Sequence, residues 1–270
     1  MPAAAAPSPV MNCRRPAAIS HPPGCAIPDS AHGAISPSKK VFAYNTVACE
    51  ITAPTRFRRG LRTSSRRTPI SEPIAAVVLA GGRSARMGGE KALLPLAGRP
   101  LIAHVVERLR PQVAELFVNA NGEAARFASL DCAVVADPPE GRGDGPLSGV
   151  GAALAFARRR GFSLLAAAPC DAPFLPRDLV ARLAAAIAAS GAPVAVAQSA
   201  RGLEPMFALW RESAAGEIAA EFTRGEASPR AVMARLGAAP VFFAPVGGED
   251  PFANLNTRED FAVAEARLRA

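Results

Sequence analysis

The sequence predicts an α/β domain over residues 73–270, an open, mostly parallel sheet with helices on both faces. Three observations carry this expectation. The apolar run Ile74-Ala75-Ala76-Val77-Val78-Leu79 leads into Gly81-Gly82, the pattern of a buried parallel strand entering a loop. Strand-like and helix-like segments then alternate to the C-terminus, as crossover connections in a parallel sheet require. The chain has 270 residues, 50% of them apolar and 20% charged, which is enough to bury a core on both sides of such a sheet.

After the first strand, helical periodicity runs through 100–110, 147–159, 176–190, 213–222 and 258–268. Strand-like runs are 115–119, 133–136, 163–168, 193–197 and 240–244, each bounded by Gly, Pro, Asn or Asp. No element is assigned to 198–212 or to 223–239.

Residues 1–72 are different in kind. They are rich in Pro, Ala, Ser and Arg without a sustained period, and cannot bury enough apolar area to offset their chain entropy. A disordered basic extension is expected there. It holds 10 Lys and Arg against 3 acids, whereas 73–270 hold 21 against 20. Of the net charge of +8, +7 therefore belongs to the extension, and the domain lacks the basic excess that nucleic-acid binding needs. No stretch approaches the ~18 consecutive apolar residues of a membrane span. The extension also lacks the apolar core of a secretory signal; its Arg/Ser-rich, acid-poor composition fits a transit peptide or a dispensable extension. Five Cys at irregular spacings do not form a disulfide framework, so a reducing compartment, the cytoplasm, is expected. Cys13, His21, Cys25 and His32 match no compact zinc spacing.

The first strand-to-helix connection reads Leu79-Ala80-Gly81-Gly82-Arg83-Ser84-Ala85-Arg86-Met87-Gly88-Gly89-Glu90-Lys91. Ligands of open α/β sheets bind beyond the carboxyl ends of the strands, where this loop lies. Its glycines let the backbone approach a base or phosphate closely. It is neither the dinucleotide fingerprint nor a P-loop, and a Gly-rich turn with solvated arginines is the plain alternative. Composition argues against that alternative. Residues 73–270 contain 20 Arg and a single Lys, so Arg serves wherever any cation will do. A lone Lys91 at the end of the glycine loop points to a need for a compact ammonium, such as one facing a polyphosphate.

Pro169-Cys170-Asp171-Ala172-Pro173 follows the buried run 163–168. Flanking prolines fix the acidic residue just past a strand end, and Mg²⁺ needs only one or two carboxylates beside phosphate and water oxygens. The alternative for Asp171 is a cap on the helix expected from Pro176. Cys170 is read as a small apolar filler, since no His is placed as its base and His104 falls in the first helix. Asn119 and Asp137 close the second and third strands on the same rim. They can accept from a base edge or ribose hydroxyls, or simply shape turns. Gly145-Pro146-Leu147-Ser148-Gly149 opens a helix whose amino end favours anions, with a plain helix start as the alternative. Asn254 and Asn256 precede the last helix, with Thr257 as its expected N-cap.

In their order, these motifs resemble those of the molybdenum cofactor guanylyltransferases. The resemblance rests on the glycine loop, Val118-Asn119-Ala120-Asn121, Asp137-Pro138, Gly145-Pro146-Leu147 with Gly149, Pro169-Cys170-Asp171-Ala172-Pro173, Glu204-Pro205 and Asn254-Leu255-Asn256-Thr257. It covers 74–268 and none of the extension. Glu90 departs from the Asp usual before the Lys, but keeps a carboxylate.

The resemblance implies the Rossmann-like nucleotidyltransferase fold. It also implies Mg²⁺-dependent transfer of GMP from GTP to the molybdopterin cofactor, with release of pyrophosphate. On this reading Leu79, Ala80, Gly81, Gly82, Lys91, Asn119, Asp137 and Asp171 bind GTP. Asp171 holds the metal, Lys91 and Arg86 neutralise the triphosphate, and Gly145, Asn254 and Asn256 approach phosphates or pterin. GTP and molybdopterin are the implied partners, with molybdoenzymes or their chaperones beyond them, and neither nucleic acid nor membrane. The runner-up is the cytidylyltransferase acting on the same pterin, which generally reads Leu-Ala-Ala-Gly where this chain has Leu79-Ala80-Gly81-Gly82. A sugar-phosphate nucleotidyltransferase and a non-catalytic nucleotide-binding chaperone of a molybdoenzyme are the remaining alternatives.

Overall fold

The apolar run after Pro73 is strand β1 (Ile74–Leu79), and every residue of it from Ala75 to Val78 is inaccessible to solvent. Such burial on both faces requires a central strand. In the computed structural model, which describes residues 72–81, 91–139, 145–225 and 228–269, β1 pairs in parallel with strands on either side. A two-residue hairpin, β2 (Pro95–Leu96) and β3 (Arg99–Pro100), follows the glycine loop. Strand β4 (Glu115–Asn119) flanks β1 and carries β5 (Ala133–Val135) on its far side. On the other flank lies β6 (Leu164–Pro169), then β8 (Gly202–Arg211), β7 (Val194–Ser199) and the edge strand β9 (Ala239–Phe242). The order is β5-β4-β1-β6-β8-β7-β9, with β8 antiparallel to both its neighbours.

The strands' period of two sorts their side chains between two cores. Ala76, Val78, Val118, Ala166 and Ala168 face α1 (Leu101–Leu109) and α3 (Leu179–Ser190). Ala75, Val77, Phe117, Leu165 and Ala167 face α2 (Pro146–Arg159), α4 (Ala215–Arg224) and α5 (Pro229–Arg235). Phe117 and Phe156 meet edge to face there, with centroids 4.8 Å apart. The last helix, α6 (Arg258–Arg269), packs with Leu96, Leu101, Phe174 and Leu255 in a third, smaller cluster, so it covers the hairpin that follows the glycine loop.

The mostly parallel α/β sheet with helices on both faces is thus as the sequence predicts, with four differences. The longest strand, β8, lies in 198–212, where no element was expected. Its Pro205 cannot donate to a ladder, and a central strand admits proline only at an irregularity. The β7–β8 register shifts between Val196 and Ala197, so that Ala208 opposes Val196 while Glu204 opposes Ala197, and Pro205 falls in the slack between. Helix α5 also lies in an unassigned stretch, begun by Ser228 accepting from the Ala231 N–H at 3.4 Å. α3 starts at Leu179 rather than Pro176. Asp137 lies two residues beyond β5 rather than at its end.

The expectation for the extension falls, apart from Glu72, outside the described residues, as do Gly82, Arg86 and Glu90. Among the described residues, no helix is long and apolar enough to cross a membrane.

Candidate functional site

Strand order reverses at β1: the chain moves from β1 to β4 and β5 on one side, then returns to β6 on the other. The crevice beyond the carboxyl ends at such a point is where open α/β sheets bind ligands. Here it is lined by the residues after β1, β4, β5 and β6. The backbone ties these ends together. The Ala80 N–H donates to the Asn119 carbonyl at 2.8 Å, the Ala120 N–H to Val135 at 3.2 Å, and the Cys170 N–H to Leu79 at 3.1 Å.

One half of the crevice is a rigid amide–carboxylate latch. Asn119 Nδ2 donates to Asp137 Oδ1 at 2.9 Å and to the Val135 carbonyl at 3.0 Å. Asn121 Nδ2 donates to Asp137 Oδ2 at 2.8 Å, while Asn121 Oδ1 accepts from the Asp137 N–H at 3.0 Å. Asn119 and Asp137 are almost completely buried. Such groups need partners, and this reciprocal set supplies them. Gly81 lies directly against the latch: a Cβ built on it would stand 3.3 Å from Asn119 Oδ1 and 3.9 Å from Asp137 Oδ2. On the other side α2 presses closer still. A Cβ on Gly149 would fall 2.2 Å from Asn119 Oδ1 and 2.8 Å from its Cγ, so only glycine admits this approach. The amino end of α2 is turned in by Gly145, at φ +92°, a region open chiefly to glycine.

The other half is charged. Lys91 Nζ donates to Asp171 Oδ2 at 2.5 Å and to Asn256 Oδ1 at 2.7 Å. The two charged side chains are only 9% and 17% exposed. An ammonium has three donors, so one remains beyond these two bonds. Asp171 Oδ1 is buried and has no hydrogen-bond partner among the described residues. The pair therefore offers a cationic donor and a carboxylate oxygen side by side, a donor set suited to a phosphate and a hard divalent cation. The Leu255 N–H donates to the Asp171 carbonyl at 2.9 Å, which fixes the 254–257 segment against this pair.

Of the residues singled out from sequence, Leu79, Ala80, Gly81, Asn119 and Asp137 come together in the first half, and Lys91, Asp171 and Asn256 in the second. Gly145 starts α2 beside the first half. Asn254 is exposed, and Asn256 faces the lysine. The helix-cap alternative for Asp171 is corrected by α3: its N-cap position is Asp178, seven residues later, and it uses no side-chain cap. Thr257 does cap α6, accepting from the Asp260 N–H at 3.1 Å. Cys170 is buried, as a small filler would be. Asn121, Gly149 and Asp260 join the site without being among the residues the sequence assigns to it. Asn121 has one visible signal: it stands two places from Asn119, at the spacing that can return to the same face.

Three comparisons bear on this geometry. The family description "MobA-like NTP transferase domain" matches residues 76–240. A molybdenum cofactor guanylyltransferase of Cereibacter sphaeroides is 46% identical over 194 residues, covering 72% of this chain and 96% of that protein. One from Rhodobacter capsulatus is 45% identical over 196 residues, covering 73% and 97%. Among solved structures, the molybdopterin-guanine dinucleotide biosynthesis protein A from Archaeoglobus fulgidus superposes with a TM-score of 0.58 at 26% identity, covering 72% of this chain and 98% of that one.

Proposed function

The chain belongs to the molybdenum cofactor guanylyltransferase family, built on a MobA-like NTP transferase domain, and from that premise we propose that it transfers GMP from GTP to the terminal phosphate of molybdopterin. The products are the guanine dinucleotide cofactor and pyrophosphate. The observation that carries the reading is the Lys91–Asp171 pair, with its unused carboxylate oxygen, at the switch point of the sheet.

Each half of the crevice takes one end of the nucleotide. The latch of Asn119, Asn121 and Asp137, with the Leu79–Gly82 backbone, receives guanine and ribose. A glycine at 81 leaves open the space above Asn119 that a larger purine ring needs. Lys91 faces the triphosphate, with Arg86 assisting from the glycine loop. Asp171 would hold Mg²⁺: one of its carboxylate oxygens is buried and, among the described residues, without a partner, which fits a hard divalent cation. A divalent cation held there would supply charge neutralisation for the phosphates.

The acceptor phosphate is already a nucleophile, so no general base is needed. The chain's own work is to hold donor and acceptor in line and to stabilise charge as pyrophosphate leaves. Lys91 does this best as a point charge held on two fixed oxygens, because it then needs no reorganisation during the transfer. Gly145 and Asn254 border the acceptor side, with pterin or phosphate as their contacts. Molybdoenzymes or their chaperones are the proposed recipients of the product.

The test is pyrophosphate release from GTP with Mg²⁺, with and without molybdopterin. Release that depends on the acceptor, with label from the α-phosphate of GTP retained in a pterin dinucleotide, is expected. Nucleotide binding without such release would leave a non-catalytic nucleotide-binding protein instead.

A further inference from the structure

We infer that Asp260 is a positioning residue: through the first turn of α6 it holds Asn256 against the Lys91 ammonium. The clamp is a matter of geometry alone; its effect on turnover rests on the function proposed above.

Thr257 and Asp260 form a reciprocal capping box. The Asp260 N–H donates to Thr257 Oγ1 at 3.1 Å, and the Thr257 N–H donates back to Asp260 Oδ2 at 2.8 Å. A box needs no more than this. Here the same Oδ2 also accepts the Asn256 N–H at 2.7 Å, one residue further upstream. That bond fixes the backbone of the residue whose side chain accepts from Lys91 Nζ. With Leu255 bonded to the Asp171 carbonyl, three consecutive N–H groups are committed, one to Asp171 and two to Asp260.

The arrangement answers a physical need. A lysine side chain has many rotamers, and one contact to Asp171 fixes the distance of its ammonium but not its direction. Asn256 supplies the second fixed oxygen, yet Asn256 is itself exposed. Its backbone is held by the Asp260 carboxylate. α6 is anchored for that purpose on the hairpin that follows Lys91: Ala264 and Phe261 pack with Leu96 and Leu101, and the Ala97 N–H donates to Glu265 Oε1 at 3.1 Å. The Asp260 carboxyl is held below its usual range chiefly by the Asn256 and Thr257 N–H groups, and also by the field of Lys91 itself. It is therefore charged whenever the clamp operates near neutral pH.

The chain has three lysines, at 39, 40 and 91. Trace acetylation of the full chain with acetic anhydride, read by peptide mass spectrometry, reports Lys91 against two internal references. Asp260→Ala is expected to raise relative labelling of Lys91 by about 3- to 10-fold, the size of one lost hydrogen bond. It is also expected to lower kcat for GMP transfer by about as much, with little change in KM for GTP. Asp260→Glu restores the box in its commonest form and should return both values towards wild type. Val263→Gly weakens α6 at an exposed position without touching the box, and should change neither.

Unchanged labelling and kcat in Asp260→Ala would overturn the clamp. So would equal changes in Val263→Gly at the same shift in melting temperature, since α6 would then act through stability alone. If the labelling pattern appears as expected while wild type transfers no GMP, the clamp stands and the transferase reading falls.

Discussion

Lys91 and Asp171 are eighty residues apart in the chain, yet their charged atoms meet at 2.5 Å beyond the ends of β1 and β6. Nearly buried, the pair is costly to form and more costly to break on one side only, because the survivor keeps its desolvation penalty without its partner. A protein seeking stability alone would do as well with two apolar residues. The retained ion pair, with Asp171 Oδ1 left over, is explained by chemistry at this point of the sheet.

Lys91 separates charge from geometry. Lys91→Ala should lower kcat by ~10²–10³-fold, the size of one lost transition-state contact, and weaken GTP binding less. It should also lower the melting temperature, since Asp171 would be left buried without a cation. Lys91→Arg keeps the charge but replaces a point donor with a planar fork that cannot meet both Asp171 and Asn256 in the same space. It is expected to recover part of the affinity and little of the rate. Full activity in the Arg variant would make the lone lysine an accident of composition.

Asp171→Asn preserves shape and an oxygen for Lys91 while removing the charge. Turnover should fall by ~10²-fold or more, and the Mg²⁺ concentration for half-maximal rate should rise. Near-normal activity at ordinary Mg²⁺ would place the metal on another residue.

Gly149→Ala sets two effects against each other. Alanine in a helix interior gains about 1 kcal/mol over glycine, whereas overpacking costs about 1–3 kcal/mol. The clash is with Asn119, which two hydrogen bonds hold in place, so it cannot yield freely. A small net change in melting temperature is expected, with a clear loss of GTP affinity measured by titration calorimetry. Unaltered affinity would show that the latch does not touch the nucleotide.

Much of this site was legible because its residues follow strand ends. β1 and β6 are marked by apolar runs and β4 by Leu116-Phe117-Val118 ending in Asn119, which places Gly81, Asn119 and Asp171 on one rim. β8 was not legible, because Glu204-Pro205 interrupts it and the bulge that accommodates proline is a tertiary event. The Asn119–Asn121–Asp137 latch and the Gly149 approach depend on side chains meeting across strands and helix, which spacing within one segment does not encode. Asp260 was hidden for another reason: in sequence it is an ordinary N3 acid of a helix, and only the third bond to Asn256 distinguishes it.

The extension carries a further expectation. A chain beginning at Ser71 keeps Glu72, whose carboxylate accepts from Ser163 Oγ at 2.8 Å, and all of β1. It should melt within about 1 kcal/mol of the full chain and turn over at the same rate, as the lack of a core-forming pattern in residues 1–70 of the sequence predicts. A larger loss of stability, or protease resistance of 1–72 in the full chain, would contradict this.

The most direct measurement is a competition: equimolar GTP and CTP with molybdopterin and Mg²⁺, with the dinucleotide products separated and quantified. The guanine dinucleotide is expected to dominate in wild type. Gly81→Ala, which puts a methyl 3.3 Å from Asn119 Oδ1 where the purine is placed, should shift the ratio towards cytosine. A cytosine product dominating in wild type, or a ratio indifferent to Gly81→Ala, would contradict the assignment of guanine to the Asn119–Asp137 half of the crevice.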